Sequence, residues 1–84
     1  MAIAWDESAM SKRARRLLEQ GMRLSEQDRS AQALDAEQQS IALYRRLAAA
    51  NPGRYLPSLA KALTNVGVTL SELDRAAEAL SAEL

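Results

Sequence analysis

The chain has 84 residues, its 11 basic and 11 acidic side chains cancel, and it contains no Cys, His or Phe. Without Cys there is no disulfide, thiolate nucleophile or redox pair; with neither Cys nor His, the usual structural zinc sites and histidine acid–base chemistry are absent. A neutral chain is not built mainly to coat nucleic acid, its apolar runs are far short of the roughly 20 residues that span a bilayer, and Met1–Glu7 lacks the features of a secretory signal, so the expectation is a soluble cytoplasmic protein with no metal, cofactor or membrane partner.

The first predicted helix covers residues 6–27, with Asp6 as its cap and Trp5 just before it. Trp5 reads either as a packed staple or as an exposed anchor for a partner, with packing favoured. Lys12, Arg13, Arg15, Arg16 and Arg23 form a basic cluster on this helix. A phosphate-binding role would need aromatic interleaving, and none is present. The favoured reading is a solvated face with Glu19 and Glu26 at pairing distance along the helix.

A turn follows at Ser25–Ser30, and Asp28 or Ser30 is expected to cap the second helix, residues 30–50. This helix carries one stripe of Leu34, Ile41 and Ala48, and a second of Ala33, Ala36, Leu43, Leu47 and Ala50. An apolar arc that wide implies packing on two sides. Asn51-Pro52-Gly53 should end it, because the residue before Pro avoids helical geometry and Gly takes the left-handed one.

The third predicted helix, residues 54–73, has the clearest seam: Leu56, Leu59, Leu63, Val66, Leu70 and Leu73. Pro57 is expected in its first turn, where a missing N–H is tolerated. A fourth, short helix is predicted over residues 75–84, opened by Asp74 as a second turn. Tyr44 and Tyr55 read as core fillers flanking the inner connection. Charge alternates in blocks along the chain, acidic over 24–41 and 62–84 and basic in between, as in solvated faces that also suit head-to-tail stacking.

The chain also repeats itself. Sliding it by 46 residues lays 17–37 on 63–83 with 12 of 21 positions identical, among them Leu17/Leu63, Gly21/Gly67, Leu24/Leu70, Asp28/Asp74, Ala33/Ala79 and Glu37/Glu83. Chance gives about two. The repeating unit is a helical hairpin. Its first helix is the weaker copy: at the seam positions Met10, Arg13, Leu17, Gln20, Leu24 and Gln27, three of six are polar. That reads as a capping helix.

The units Leu63-x2-Val66-Gly67-x2-Leu70…Ala79 and Leu17-x2-Gln20-Gly21-x2-Leu24…Ala33 resemble the tetratricopeptide repeat (TPR) family. The segments Tyr44–Pro52 and Leu63–Gly67 are similar to the longer-unit arrays of bacteria. The unit of 46 residues exceeds the family's ~34, and Glu37 and Glu83 stand where an aromatic is usual. The resemblance implies an all-α fold: one domain over 1–84, about four antiparallel helices stacked as a short right-handed solenoid. It implies a non-catalytic module that binds a peptide or helix of a partner protein in a groove lined by the first helix of each hairpin. The groove residues would be Arg15, Leu18, Glu19, Met22, Lys61, Thr64, Asn65 and Val68, with Asn65 holding peptide backbone and Lys61 a carboxylate. Carboxylate pairs such as Glu26/Asp28 recur as Glu72/Asp74, which argues for turn structure over acid–base work. The second reading is a homo-oligomer joined through the exposed last helix by Leu73, Leu80 and Leu84, since fewer than two full repeats leave a layer uncovered. A nucleic-acid accessory role for the basic helix comes third.

Overall fold

The structure is a computed structural model and describes residues 6–83. Among these the fold is all-α: α1 spans Glu7–Glu26, α2 Ser30–Ala50 and α3 Pro52–Glu83. Three helices stand where four are expected, because the break at Asp74 does not form.

Each boundary has a local cause. Asp6 caps α1, its Oδ1 accepting the Ala9 N–H at 3.0 Å. α1 ends with Asp28 in the left-handed region at φ 59°. The Arg29 N–H then reaches the Leu24 carbonyl at 2.9 Å and the Asp28 N–H reaches Ser25 at 3.1 Å, which satisfies two carbonyls of the last turn. Neither Asp28 nor Ser30 caps α2. The capping position is Arg29, without a side-chain bond, and the Ser30 hydroxyl donates to Glu72 instead.

α2 stops at Ala50, and one residue, Asn51, connects it to α3. Gly53 is helical and takes no positive φ; Pro52 opens α3 in its place, where its ring already fits the first helical residue. Pro57 therefore lies two residues deeper than expected, past the first turn of the helix, and deprives the Gly53 carbonyl of its usual donor.

Past Asp74 the helix runs on. Residues 68–83 contain neither Gly nor Pro, and Leu73 and Ala76 replace the Gln27 and Ser30 of the first turn. A left-handed Asp costs about 1 kcal/mol. In the first copy the packing of α2 offsets that cost. After Asp74, Leu80 is the one large apolar side chain among the described residues, so folding back would bury little.

α2 is the central element and packs on both α1 and α3. The core is Ala14 and Leu18 of α1, Ile41, Tyr44, Leu47 and Ala48 of α2, and Tyr55 and Ala62 of α3, with Met10, Leu43, Leu59 and Val66 at its edge. Tyr44 and Tyr55 are both buried, as their spacing implies. A buried hydroxyl ties the hairpin together: Ser40 Oγ donates to the Ala14 carbonyl at 3.0 Å. The molecule is 59 Å long and about 20 Å across, since α3, about 48 Å at 1.5 Å per residue, overshoots the other two helices.

The apolar seam of α3 splits. Leu59, Val66 and Leu73 are half-buried, whereas Leu56, Leu63 and Leu70 stay 52, 43 and 47 % exposed. No described helix is long and apolar enough to cross a membrane.

Candidate functional site between α1 and α3

α1 and α3 run in the same direction over the floor that α2 provides. Two contacts bridge them. Near their starts, Arg54 faces Glu7 at 3.7 Å. Near the end of α1, Ser25 Oγ donates to Glu72 Oε2 at 3.2 Å, and Ser30 Oγ donates to the same oxygen at 3.3 Å. Between these bridges lies a cleft of about 160 Å³, lined by Met22, Ser25, Glu26, Glu37, Asn65, Val68 and Thr69.

Helical spacing brings these residues together. Arg15, Glu19, Met22 and Glu26 recur every three or four residues along α1, and Lys61, Asn65, Val68 and Glu72 do the same along α3. The two rows match residue for residue under the 46-residue shift. Of the sequence-derived groove residues, Met22, Asn65 and Val68 line the cleft. Arg15, Glu19 and Lys61 are exposed further along the same rows. Arg15 and Glu19 lie within electrostatic reach of Tyr44, whose hydroxyl is held protonated above its ordinary range mainly by burial, with Arg15 lowering and Glu19 and Tyr55 raising it.

Two groove residues differ from expectation. Leu18 is not at the surface; it is 6 % exposed and belongs to the core. Thr64 is exposed but returns its hydroxyl to the Ala60 carbonyl at 2.9 Å. Of the three leucines read as a self-association patch, Leu73 is half-buried and faces the α1–α2 turn beside Ser30 and Ala31. Leu80 is 64 % exposed. Leu84 and Trp5 lie outside the described residues.

The residue that sequence reasoning missed is Glu37. It is 1 % exposed, in the middle of α2. The Thr69 hydroxyl donates to its Oε1 at 2.8 Å, and Oε2 has no partner. Beside it, Asn65 Nδ2 is also buried without a partner. Burial pushes the Glu37 carboxyl above the ordinary range; the Thr69 hydrogen bond opposes that shift and the Glu72 charge adds to it. A signal was present, because Glu37 stands in register with Ala33, Ser40, Ile41 and Tyr44 on the buried face of α2. The Gly21 backbone makes room for it.

One unsatisfied donor and one unsatisfied acceptor are therefore buried in the side chains that form the floor of the cleft. Among the described residues no cluster of acidic, Cys or His side chains is placed to hold a metal. No protein-family model matches the chain, and no curated protein or solved structure matches it.

Proposed function

We propose that this chain is a non-catalytic protein-interaction module, a short TPR-like helical scaffold whose α1–α3 cleft takes an extended peptide of a partner protein. One observation carries the reading: the paired orphan groups, Asn65 Nδ2 and Glu37 Oε2, buried at the same cleft. A buried polar atom without a partner costs on the order of 1–3 kcal/mol. A peptide unit offers the complement of both, a carbonyl for Asn65 and an N–H for Glu37. Met22 and Val68 supply apolar contact on either side. Lys61 and Arg15, one turn before Asn65 and Glu19, give the entrance a positive edge, while Glu26, Glu37 and Glu72 make the far end acidic. The favoured peptide carries its acidic residue toward Lys61 and its basic residue toward Glu26.

The test is a selection of random displayed peptides on the purified chain, followed by calorimetric titration of the winners. Loss of one such hydrogen bond is worth about 1 kcal/mol, so Asn65→Ala should weaken a selected peptide about fivefold to tenfold, and Lys61→Ala should weaken acidic peptides selectively. Peptides that bind wild type and Asn65→Ala equally would end this reading.

A second reading, self-association, is favoured by the exposed leucines of α3.

A further inference from the structure

One stripe of α3 is covered by no other described element. Leu56, Ala60, Leu63, Gly67 and Leu70 recur at spacings of four and three residues, the heptad pattern of a helix that pairs with another helix. At about 100° per residue they fall within about 80° of arc. All five are exposed. Tyr55, Ala62 and Thr69, which α3 buries, point about 120° away from the stripe; Arg54 and Glu72, which bridge to α1, point about 160° away. Neither α1 nor α2 therefore stands in front of it. Along the stripe large and small residues alternate, and a Cβ on Gly67 would meet nothing within 4 Å.

Charge is segregated along the same helix. The up-down-up course of the chain lays residues 6–17, 39–51 and 52–64 side by side in one half of the molecule, as the Ser40 bond to Ala14 and the Arg54 contact with Glu7 show. That half carries eight basic and two acidic side chains, formally +6. The other half, residues 18–38 and 65–83, contains the Ser25 bond to Glu72 and carries three basic and nine acidic side chains, formally −6. Blocks that alternate along the sequence thus add up in space to two opposite poles. The boundary between them crosses α3 at Thr64–Asn65, in the middle of the open stripe.

We propose that a second copy of this chain, lying head against tail, occupies the stripe, each basic pole beside the acidic pole of the other. Charge complementarity names the occupant and its direction: a parallel pair would set +6 beside +6, whereas a two-fold axis at the level of Asn65 opposes unlike poles twice. Packing agrees. Several registers seat leucines over small residues, and the one whose axis coincides with the charge boundary sets Leu63 of each copy on Gly67 of the other and Leu70 on Ala60. Small residues at these rungs let the two helices approach closely, and Leu59, Val66 and Leu73, half-buried along one edge, gain cover. Glu78, exposed on the other edge, comes level with Pro52 of the second copy, at the positive end of that helix. The pairing is isologous, so it closes as a dimer and does not run on as a filament. It deepens the self-association reading, on which it rests, and is independent of the α1–α3 cleft.

In such a pair only residues near the axis meet their own counterparts. Thr64 and Ser71 are both exposed on the same edge of the stripe, one heptad apart. Thr64 stands at the axis; Ser71 is about 20 Å from its counterpart along the helices. The native chain has no Cys, so single introduced thiols report cleanly. Under mild oxidation Thr64→Cys should form a covalent dimer at protein concentrations where Ser71→Cys stays monomeric. Light scattering on the native chain should give a mass of twice 9.2 kDa at high concentration. Gly67→Gln should lose the dimer and keep its helical circular dichroism, because position 67 borders open space within one molecule. A mass of 9.2 kDa at every concentration would overturn the proposal and self-association with it. A dimer indifferent to Gly67→Gln, or equal cross-linking of the two thiol variants, would overturn this pairing and leave self-association through another face.

Discussion

Glu37 of α2 packs directly on Gly21 of α1: the Glu37 side chain occupies the space where a Cβ on residue 21 would stand, at 2.7 Å from Cγ. The contact links the repeat to the cleft. Absence of a side chain at 21 lets a carboxylate sit between helices, and Thr69 on α3 then orients it at 2.8 Å.

Gly21→Ala should be destabilising and Gly67→Ala should not. The first adds a methyl where the neighbour must move, at about 1–3 kcal/mol against a helix-propensity gain of about 1 kcal/mol. The second collects only the gain in the monomer, where nothing lies within 4 Å. Urea unfolding at concentrations low enough to keep the chain monomeric should give opposite signs for the two.

Glu37→Gln should stabilise the fold at neutral pH and lose that advantage in acid. The sign follows from the direction of the shift. Folding raises the Glu37 pKa, so the folded chain holds the proton more tightly than the unfolded one. The favourable contribution of the neutral acid is complete below the unfolded pKa and is lost as pH rises through the folded pKa. Gln keeps an oxygen for Thr69 and carries no charge. The expected gain at about pH 7 is on the order of 1 kcal/mol, shrinking toward zero near pH 4. Unfolding curves of both chains across that range check it.

Thr69→Val removes the one donor that Glu37 has, with little change of shape. The ionised carboxylate is then buried with neither oxygen satisfied. A loss of about 1–3 kcal/mol is expected at neutral pH and less in acid, where the carboxyl is neutral. Chemical denaturation at the two pH values separates the cases.

Asp28→Gly should stabilise the turn by about 1 kcal/mol, because residue 28 holds φ 59°. The same change at Asp74, inside α3, should instead cost a few tenths of a kcal/mol, roughly the gap in helix propensity between Asp and Gly. Thermal melts of the two variants compare identical chemistry at equivalent positions of the repeat.

Much of the fold was legible in the sequence for physical reasons. Asp6 is followed at once by a periodic apolar face, and Asn51-Pro52 interrupts helix geometry whatever surrounds it. Hence the bounds of α1 and α2 fall within a residue or so of expectation. Asp74 misled because the repeat preserves residues, not their context. The Ser-Glu-x-Asp-Arg segment bends where α2 can pack behind it and stays helical where little apolar surface follows. The cleft was half legible. Met22, Asn65 and Val68 are expected at the groove from the resemblance to the repeat family, whereas that resemblance marks Glu37 only as standing where the family usually has an aromatic and does not place it at the groove. Its position among Ala33, Ser40 and Ile41 was the better guide.

The most direct measurement of the central claim is a two-dimensional NMR titration of the 15N-labelled chain with a selected peptide. The expected result is a set of shifts confined to Met22, Ser25, Asn65, Val68 and Thr69, including the Asn65 side-chain amide, which gains an acceptor. Shifts centred on Leu56, Leu63 and Leu70, with the Asn65 amide unmoved, would contradict it and move peptide binding to the open face of α3.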